Sequence, residues 1–342
     1  MVYRINGKSI VNDNREITVE SVVITANDRI YAGVTATQTT PLSPSTFQGS
    51  VSGYVSGGQP GGLNTIDKFS FASASVNATD VGDLVLARTG PSSQSSTTHG
   101  YSSGGNNSNV NQSLIDKFPF STDTNASSVG NLTVKRTKGA GQSSSTNGYS
   151  SGGFLQPSPS FTIIDKFPFA TDGDAIDVGD LTQGRYNPSG QSSTTHGYNS
   201  GGNVSAVLQS NVIDKFPFSA DTNSTDVGDL TQSRSGPAGQ SSTTSGYLAG
   251  GEAPGGLVNT IDKFPFASDT NATDVGDLTQ AKSIPAGVSS TTHGYAAGGY
   301  RSGGYTNTIE RWPFSSDTNS SDVGDLTQAR GTSAGQQARS LS

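Results

Sequence analysis

The chain has 342 residues, no cysteine, 44 glycines and a formal net charge of −7. The missing thiol excludes disulfides, thiolate zinc sites and cysteine nucleophiles. The acidic balance leaves no phosphate-binding footprint, so nucleic acid is not an expected partner. Charged residues make up only 14% of the chain against 14 Phe and 11 Tyr, the reverse of a disordered composition. No run approaches the ~18 apolar residues that a membrane span needs, and Met1-Val-Tyr-Arg-Ile-Asn lacks the charged-then-apolar pattern of a signal peptide. The expectation is a protein made in the cytoplasm without membrane insertion.

Residues 1–46 differ from the rest. Apolar residues alternate or cluster around Ile5, Ile10, Ile17, Val22 and Val34, with turn signals at Asn6-Gly7 and Asp13-Asn14. This reads as three or four short strands, too few to close a core alone. Such a segment is expected to pair with other chains. Residues 38–44 carry Thr, Ser and two prolines and read as a semi-extended link.

From residue 47 onward the sequence repeats. Ile-Asp-Lys-Phe-Pro-Phe occurs unbroken at 115–120, 164–169, 213–218 and 261–266, with variants at 66–71 and 309–314. Gly-Tyr pairs begin at Gly53, Gly100, Gly148, Gly197, Gly246 and Gly294. The period of roughly 48 residues suits one four-stranded unit. Strand a is the Ser/Thr run typified by 191–195, His196-Gly197 or Asn147-Gly148 reads as a hairpin turn, strand b is 198–202, strand c is 213–218 and strand d is 227–230. The proline of strand c is expected at a strand end, where no ladder N–H is missed. No window has helical periodicity, so the fold class is all-β. Residues 46–52 and 335–340 both read as strand a, which makes seven candidates for six units. The C-terminal one is expected to complete the first unit, because joining the two ends of the chain closes the ring.

Tyr-Ser-Ser-Gly-Gly at 101–105, the following Ile-Asp-x-Phe strand and Leu-Thr-Gln-Ala-Arg at 326–330 resemble a kelch repeat. The resemblance covers about 47–342 and implies a six-bladed β-propeller. Two departures stand out: the one tryptophan, Trp312, lies in strand c, and the inner strands carry Ser, Thr and Gly. Residues 6–17 with 34–37 resemble the N-terminal attachment regions of marine bacteriophage tail-fibre and tail-associated proteins. That resemblance implies a virion protein, with residues 1–46 as its attachment to other virion proteins and a homo-oligomer in the particle.

Several side chains invite a chemical reading. The Asp-x-x-Asp of strand d recurs as Asp80/Asp83, Asp177/Asp180, Asp226/Asp229, Asp274/Asp277 and Asp322/Asp325. Its spacing does not match a twelve-residue calcium loop. Turn capping is expected instead, with pairing to Arg88, Arg136, Arg185, Arg234, Lys282 and Arg330. In strand c the adjacent acid and base suit a surface or blade-to-blade ion pair of small individual value. His99, His196 and His293 fall in alternate units, where three imidazoles about an axis would suit a metal; His is also a good turn residue, as are the Ser and Asn of the other units. No metal and no cofactor is assigned.

A sixfold-repeated scaffold without a Gly-x-Ser-x-Gly elbow, phosphate loop or His-Glu-x-x-His is expected not to be an enzyme. Kelch-type copper oxidases need a cysteine-crosslinked tyrosine, so that activity is excluded. A glycan-cleaving site would need exposed carboxylates ~5–10 Å apart. The loops between strands b and c differ in every unit, and function is commonly carried by loops on a rigid scaffold. Phe154, Phe161, Tyr300 and Tyr305 lie in two of them and are not required by the repeat. Flat rings are platforms for sugar faces, and Arg301 would suit an acidic sugar. The expected function is a tail-associated adhesin for a host surface glycan; the alternative is a purely structural virion protein.

Overall fold

The computed structural model describes residues 4–5, 8–9, 48–73, 75–155 and 160–338. It forms two compact units, Met1–Ser43 and Pro44–Ser342. In the first, Arg4–Ile5 pairs antiparallel with Lys8–Ser9. The other strands expected in 1–46 lie outside the described residues, as does the 38–44 link.

The second unit is a six-bladed β-propeller whose blades are four-stranded antiparallel sheets. Blade 2 illustrates the plan, with Ser92–Ser95 innermost, then His99–Ser103, Leu114–Pro119 and Ser127–Asn131 outermost. These are strands a to d. The proline of strand c is its last residue in blades 2 to 6, as its missing donor requires. Blade 1 takes its strand a from the C-terminus. Ala334–Ala338 pairs with Ser52–Ser56, register Ser52↔Ala338 to Ser56↔Ala334.

Strand period explains the recurring motif. Successive side chains point to opposite faces, so in blade 2 Asp116 and Phe118 face blade 1 while Ile115 and Lys117 face blade 3. Phe118 and Phe120 pack against Tyr54 of blade 1, with ring centroids 5.6 and 4.9 Å away. Ile115 joins Tyr101, Leu132 and Phe167 of the next interface. Lys117 reaches Asp172 of blade 3. The glycine of Gly-Tyr gives the aromatic room: a Cβ on Gly100 would sit 2.4 Å from the Phe118 ring that lies across from it. The hairpin turn is therefore not at His196-Gly197 or Asn147-Gly148, as the sequence suggested. Those pairs open strand b. The turn lies just before them, closed in blade 3 by Ser144 N–H to Asn147 O and by Ser144 Oγ accepting from the Asn147 N–H.

Small inner residues have a packing reason. A Cβ on Gly190 would lie 2.1 Å from the Gly141 carbonyl oxygen of the preceding blade. Five of the six a strands carry a glycine that approaches the preceding blade that closely, at Gly141, Gly190, Gly239, Gly287 and Gly335, and a branched side chain would not fit at those positions. Gln side chains on the same strands then tie blades together: Gln94 Nε2 donates to Tyr149 O and Gln142 Nε2 to Tyr198 O.

One expectation about charge needs correction: the basic residues after strand d do not pair with the strand-d acids. The strand-c acid and base do make blade-to-blade ion pairs, each with a different partner: Lys117 holds Asp172 of the next blade and Asp116 holds Arg88 of the preceding one. Arg88, Arg136, Arg234, Lys282 and Arg330 bond Asp116, Asp165, Asp262, Glu310 and Asp67 at 2.8 to 3.0 Å, each acid lying in strand c of the following blade. Arg185 pairs likewise with Asp214. Adjacent strand residues point to opposite faces, so an Asp-Lys neighbour pair cannot meet. The pairs made by the strand-c acids are buried, while those made by the strand-c lysines lie at the surface. Burial disfavours charge on both partners, lowering the Arg88 pKa and raising that of Asp116, while their mutual attraction opposes each shift. Further bonds satisfy the carboxylates: Asp262 also accepts from Thr231 N–H and Thr231 Oγ1 at 3.0 and 2.7 Å. Strand-d acids do cap their own turns, as when the Gly228 N–H donates to Asp226 at 3.1 Å.

Two outcomes are expected. Deleting residues 331–342 leaves an unpaired inner edge on blade 1 and lowers the melting temperature markedly; an unchanged melting curve would falsify the terminal latch. Asp262→Ala strands the Arg234 guanidinium and costs roughly 3–5 kcal/mol in urea unfolding, whereas Asp262→Leu with Arg234→Met recovers most of that loss.

Candidate functional site on the loop face

In this topology the a–b and c–d turns share one face, and the b–c loops and d-to-a links share the other. The loop face is where the units differ. Blades 2, 4, 5 and 6 each raise a small b–c hairpin, the last pairing Tyr300–Arg301 with Gly304–Tyr305. Each link pairs with a neighbouring loop, for example Thr137↔Phe154, Tyr186↔Asn203 and Ser283↔Tyr300.

At the centre of this face the links form a closed ring of backbone hydrogen bonds. Gly90 N–H donates to Thr332 O, Lys138 to Gly90, Asn187 to Lys138, Gly236 to Asn187, Ile284 to Gly236 and Thr332 to Ile284, all at 2.6 to 2.9 Å. All six residues are left-handed, with φ between 53° and 63°. That conformation costs non-glycine residues roughly 1–2 kcal/mol each. It is a marked outlier for β-branched Ile284 and Thr332. The cyclic bonds hold it, because every member's N–H and C=O is committed to a neighbour.

The five residues expected to bind ligand separate into two clusters on opposite sides of the ring. On blade 3, Phe154 stacks obliquely on Tyr186, centroids 4.8 Å apart, and Lys138 Nζ lies 5.6 Å from the Phe154 centroid. Phe161 is half-buried on the far limb of that loop, its N–H bonded to Gly153 O at 2.8 Å. On blade 6, Tyr300 meets Tyr305 edge-on at 5.4 Å. Tyr300 is 42% exposed. Tyr305 donates its hydroxyl to Gln59 of blade 1, and Arg301 donates to Gln280. Sequence reasoning found the aromatics but missed Lys138 and Tyr186, which come from a link and not from a b–c loop. Their signal was variability at the two link positions that follow the basic residue in each unit.

The histidines lie on the opposite face, at the start of strand b in blades 2, 4 and 6. Each Nδ1 shares a 2.8 Å hydrogen bond with the preceding threonine hydroxyl. Among the described residues no three His, Asp or Glu are grouped to hold a metal. The structure thus does not bring His99, His196 and His293 together, because each imidazole is held against its own turn. The axial cavity is small, about 50 Å³, and its lining of Ser, Gln and Gly offers neither carboxylate nor imidazole.

No protein-family model matches the chain, and no curated protein matches it. Its fold is similar to a solved structure titled "Structure of YjhT", with a TM-score of 0.62 and 13% identity over 78% of this chain and 95% of that one. This likeness shows the propeller architecture. It also corrects the expectation that the chain is not an enzyme. At 13% identity a very different sequence builds the same architecture. Repetition therefore describes the scaffold and is no argument against one site among unlike loops. The non-enzyme assignment is withdrawn.

Burial lowers the pKa of His99, His196 and His293, with Lys117, Lys215 and Arg311 adding to the effect and Asp172 and Asp269 opposing it at the first two. A folded-state pKa below the ordinary 6.5 means that the unfolded chain takes up protons first as pH falls. The stability contribution is complete above about pH 6.5 and is lost below it. Replacing all three by Asn, the residue found at 147, is expected to flatten the fall in melting temperature between pH 7.5 and 5.5. Equal slopes in wild type and variant would show that these imidazoles do not control it.

Proposed function

We propose that the chain is a phage tail-associated adhesin, with residues 1–46 attaching to other virion proteins and the propeller's loop face binding a host surface glycan. The observation that carries the reading is the blade-6 hairpin. It presents an exposed tyrosine, a second ring set edge-on to it and an arginine within six residues. Exposed rings beside a cation suit a sugar's apolar face and an acidic substituent. The kelch-like repeat and the phage-like N-terminal segment support the same reading from the sequence side. A purely structural virion role has its own support. Val207 and Leu208 at the tip of the blade-4 hairpin are 89% and 59% exposed, and exposed apolar side chains of that kind suit a protein contact.

The test is competition by the purified protein against particle adsorption to host cells. Tyr300→Ala with Arg301→Ala is expected to remove competition while leaving the melting curve unchanged, and Val207→Ser with Leu208→Ser is expected to retain it. The reverse pattern would favour the structural role.

A further inference from the structure

Lys138 stands apart among the described cations. Lys68, Lys117, Lys166, Lys215 and Lys263 each hold an exposed aspartate of the next blade. The five buried arginines and Lys282 hold buried acids, Arg301 donates to Gln280, and Arg311 donates to Ser73 O. Lys135 is exposed. Lys138 is half-buried, and its ammonium faces the Phe154 ring with no carboxylate of the described residues paired to it. Burial alone lowers its pKa, with no neighbouring acid acting against the shift. A partly desolvated cation without a counter-ion is the arrangement that an incoming anion stabilises most.

Its place in the fold matters equally. Lys138 supplies the one charged side chain of the axial ring, whose other members are Gly90, Asn187, Gly236, Ile284 and Thr332. The ring fixes its backbone, and left-handed backbone in non-glycine residues concentrates at ligand sites. Beside it, the Phe154–Tyr186 pair makes an apolar wall.

We infer that the axial mouth of the loop face, at blades 3 and 4, is a second binding site that takes a carboxylate-bearing sugar, with Lys138 holding the carboxylate and the Phe154–Tyr186 pair supporting the ring. The inference rests on the loop-face reading above and names a ligand class for a part of that face remote from Tyr300.

The experiment is calorimetric titration of the full-length protein with D-galacturonate and with neutral D-galactose. Wild type and Lys138→Arg are expected to bind galacturonate. Lys138→Met, which keeps chain length and backbone preference, is expected to weaken it about tenfold or more, the scale of one charge-assisted hydrogen bond. Galactose is expected to bind at least about tenfold more weakly than galacturonate. Lys135→Met, which removes an exposed charge from the same link, is expected to leave galacturonate binding unchanged. Undetectable galacturonate binding by the folded wild type, equal binding of the two sugars, or unchanged binding by Lys138→Met would each overturn the site. If adsorption still depends on Tyr300 in that event, the loop-face reading survives and only the mouth site fails.

Discussion

Each blade grips its neighbour through one buried ion pair and one tyrosine set against two aromatic rings of the next blade. Neither contact exists within a single sheet. The small a strands contribute little apolar area, so the core is distributed over six interfaces, each built from two blades. A buried ion pair is weak evidence for net stability, since desolvation offsets much of the attraction. Its value here is register. Each carboxylate also accepts from the link that brings the base, so a blade that slipped by one residue would strand a charge. Closure then makes the six interfaces interdependent, because the C-terminal strand belongs to blade 1 and carries Gln336 to the Tyr101 carbonyl of blade 2. Residues 48–51 reinforce the same seam: Gly49 bonds Ser289 O of blade 6, and Gln48 reaches Ser241 O of blade 5.

A scaffold so uniform separates structure from function in space. The repeated side chains point between blades and are consumed there. What is left to vary is the b–c loops and two adjacent link positions, and these converge on a single face. The axial ring is the meeting point of the two regimes. Its backbone is the same in all six units while its side chains range from none to lysine to isoleucine, which is how a rigid frame carries different chemistry around one axis.

Much of the fold was legible in the residues. The recurring Ile-Asp-Lys-Phe-Pro-Phe gave period, strand and the strand-ending proline. The duplicated a segments at the two chain ends pointed to closure by the C-terminus, and the pairing of Ala334–Ala338 with Ser52–Ser56 follows it. The partners of the link bases were misassigned to the strand-d acids, although a covariation inside the chain marks the true ones. Unit five alone has Lys, at 282, in place of Arg, and unit six alone has Glu, at 310, in place of Asp. They are partners, and the longer acid compensates for the shorter base. Burial pushes the Glu310 carboxyl up, but Lys282, Ser320 and the Thr279 N–H more than offset it and hold it below the ordinary range.

By itself, then, the sequence determined local matters: which stretches are strands, how many units there are, and which residues are free to vary. Period-2 alternation and turn chemistry act over a few residues and leave their mark in composition. Tertiary structure alone decided what meets across units. It placed Lys138 over Phe154 and beside Tyr186, put the Phe154 and Tyr300 clusters on opposite sides of the ring, and kept the three histidines apart. It also held Ile284 and Thr332 in a left-handed conformation that their own side chains disfavour. The reason is the ring. A closed cycle of six hydrogen bonds exists only when all six blades are in place, so no single unit of the sequence contains the information that requires it.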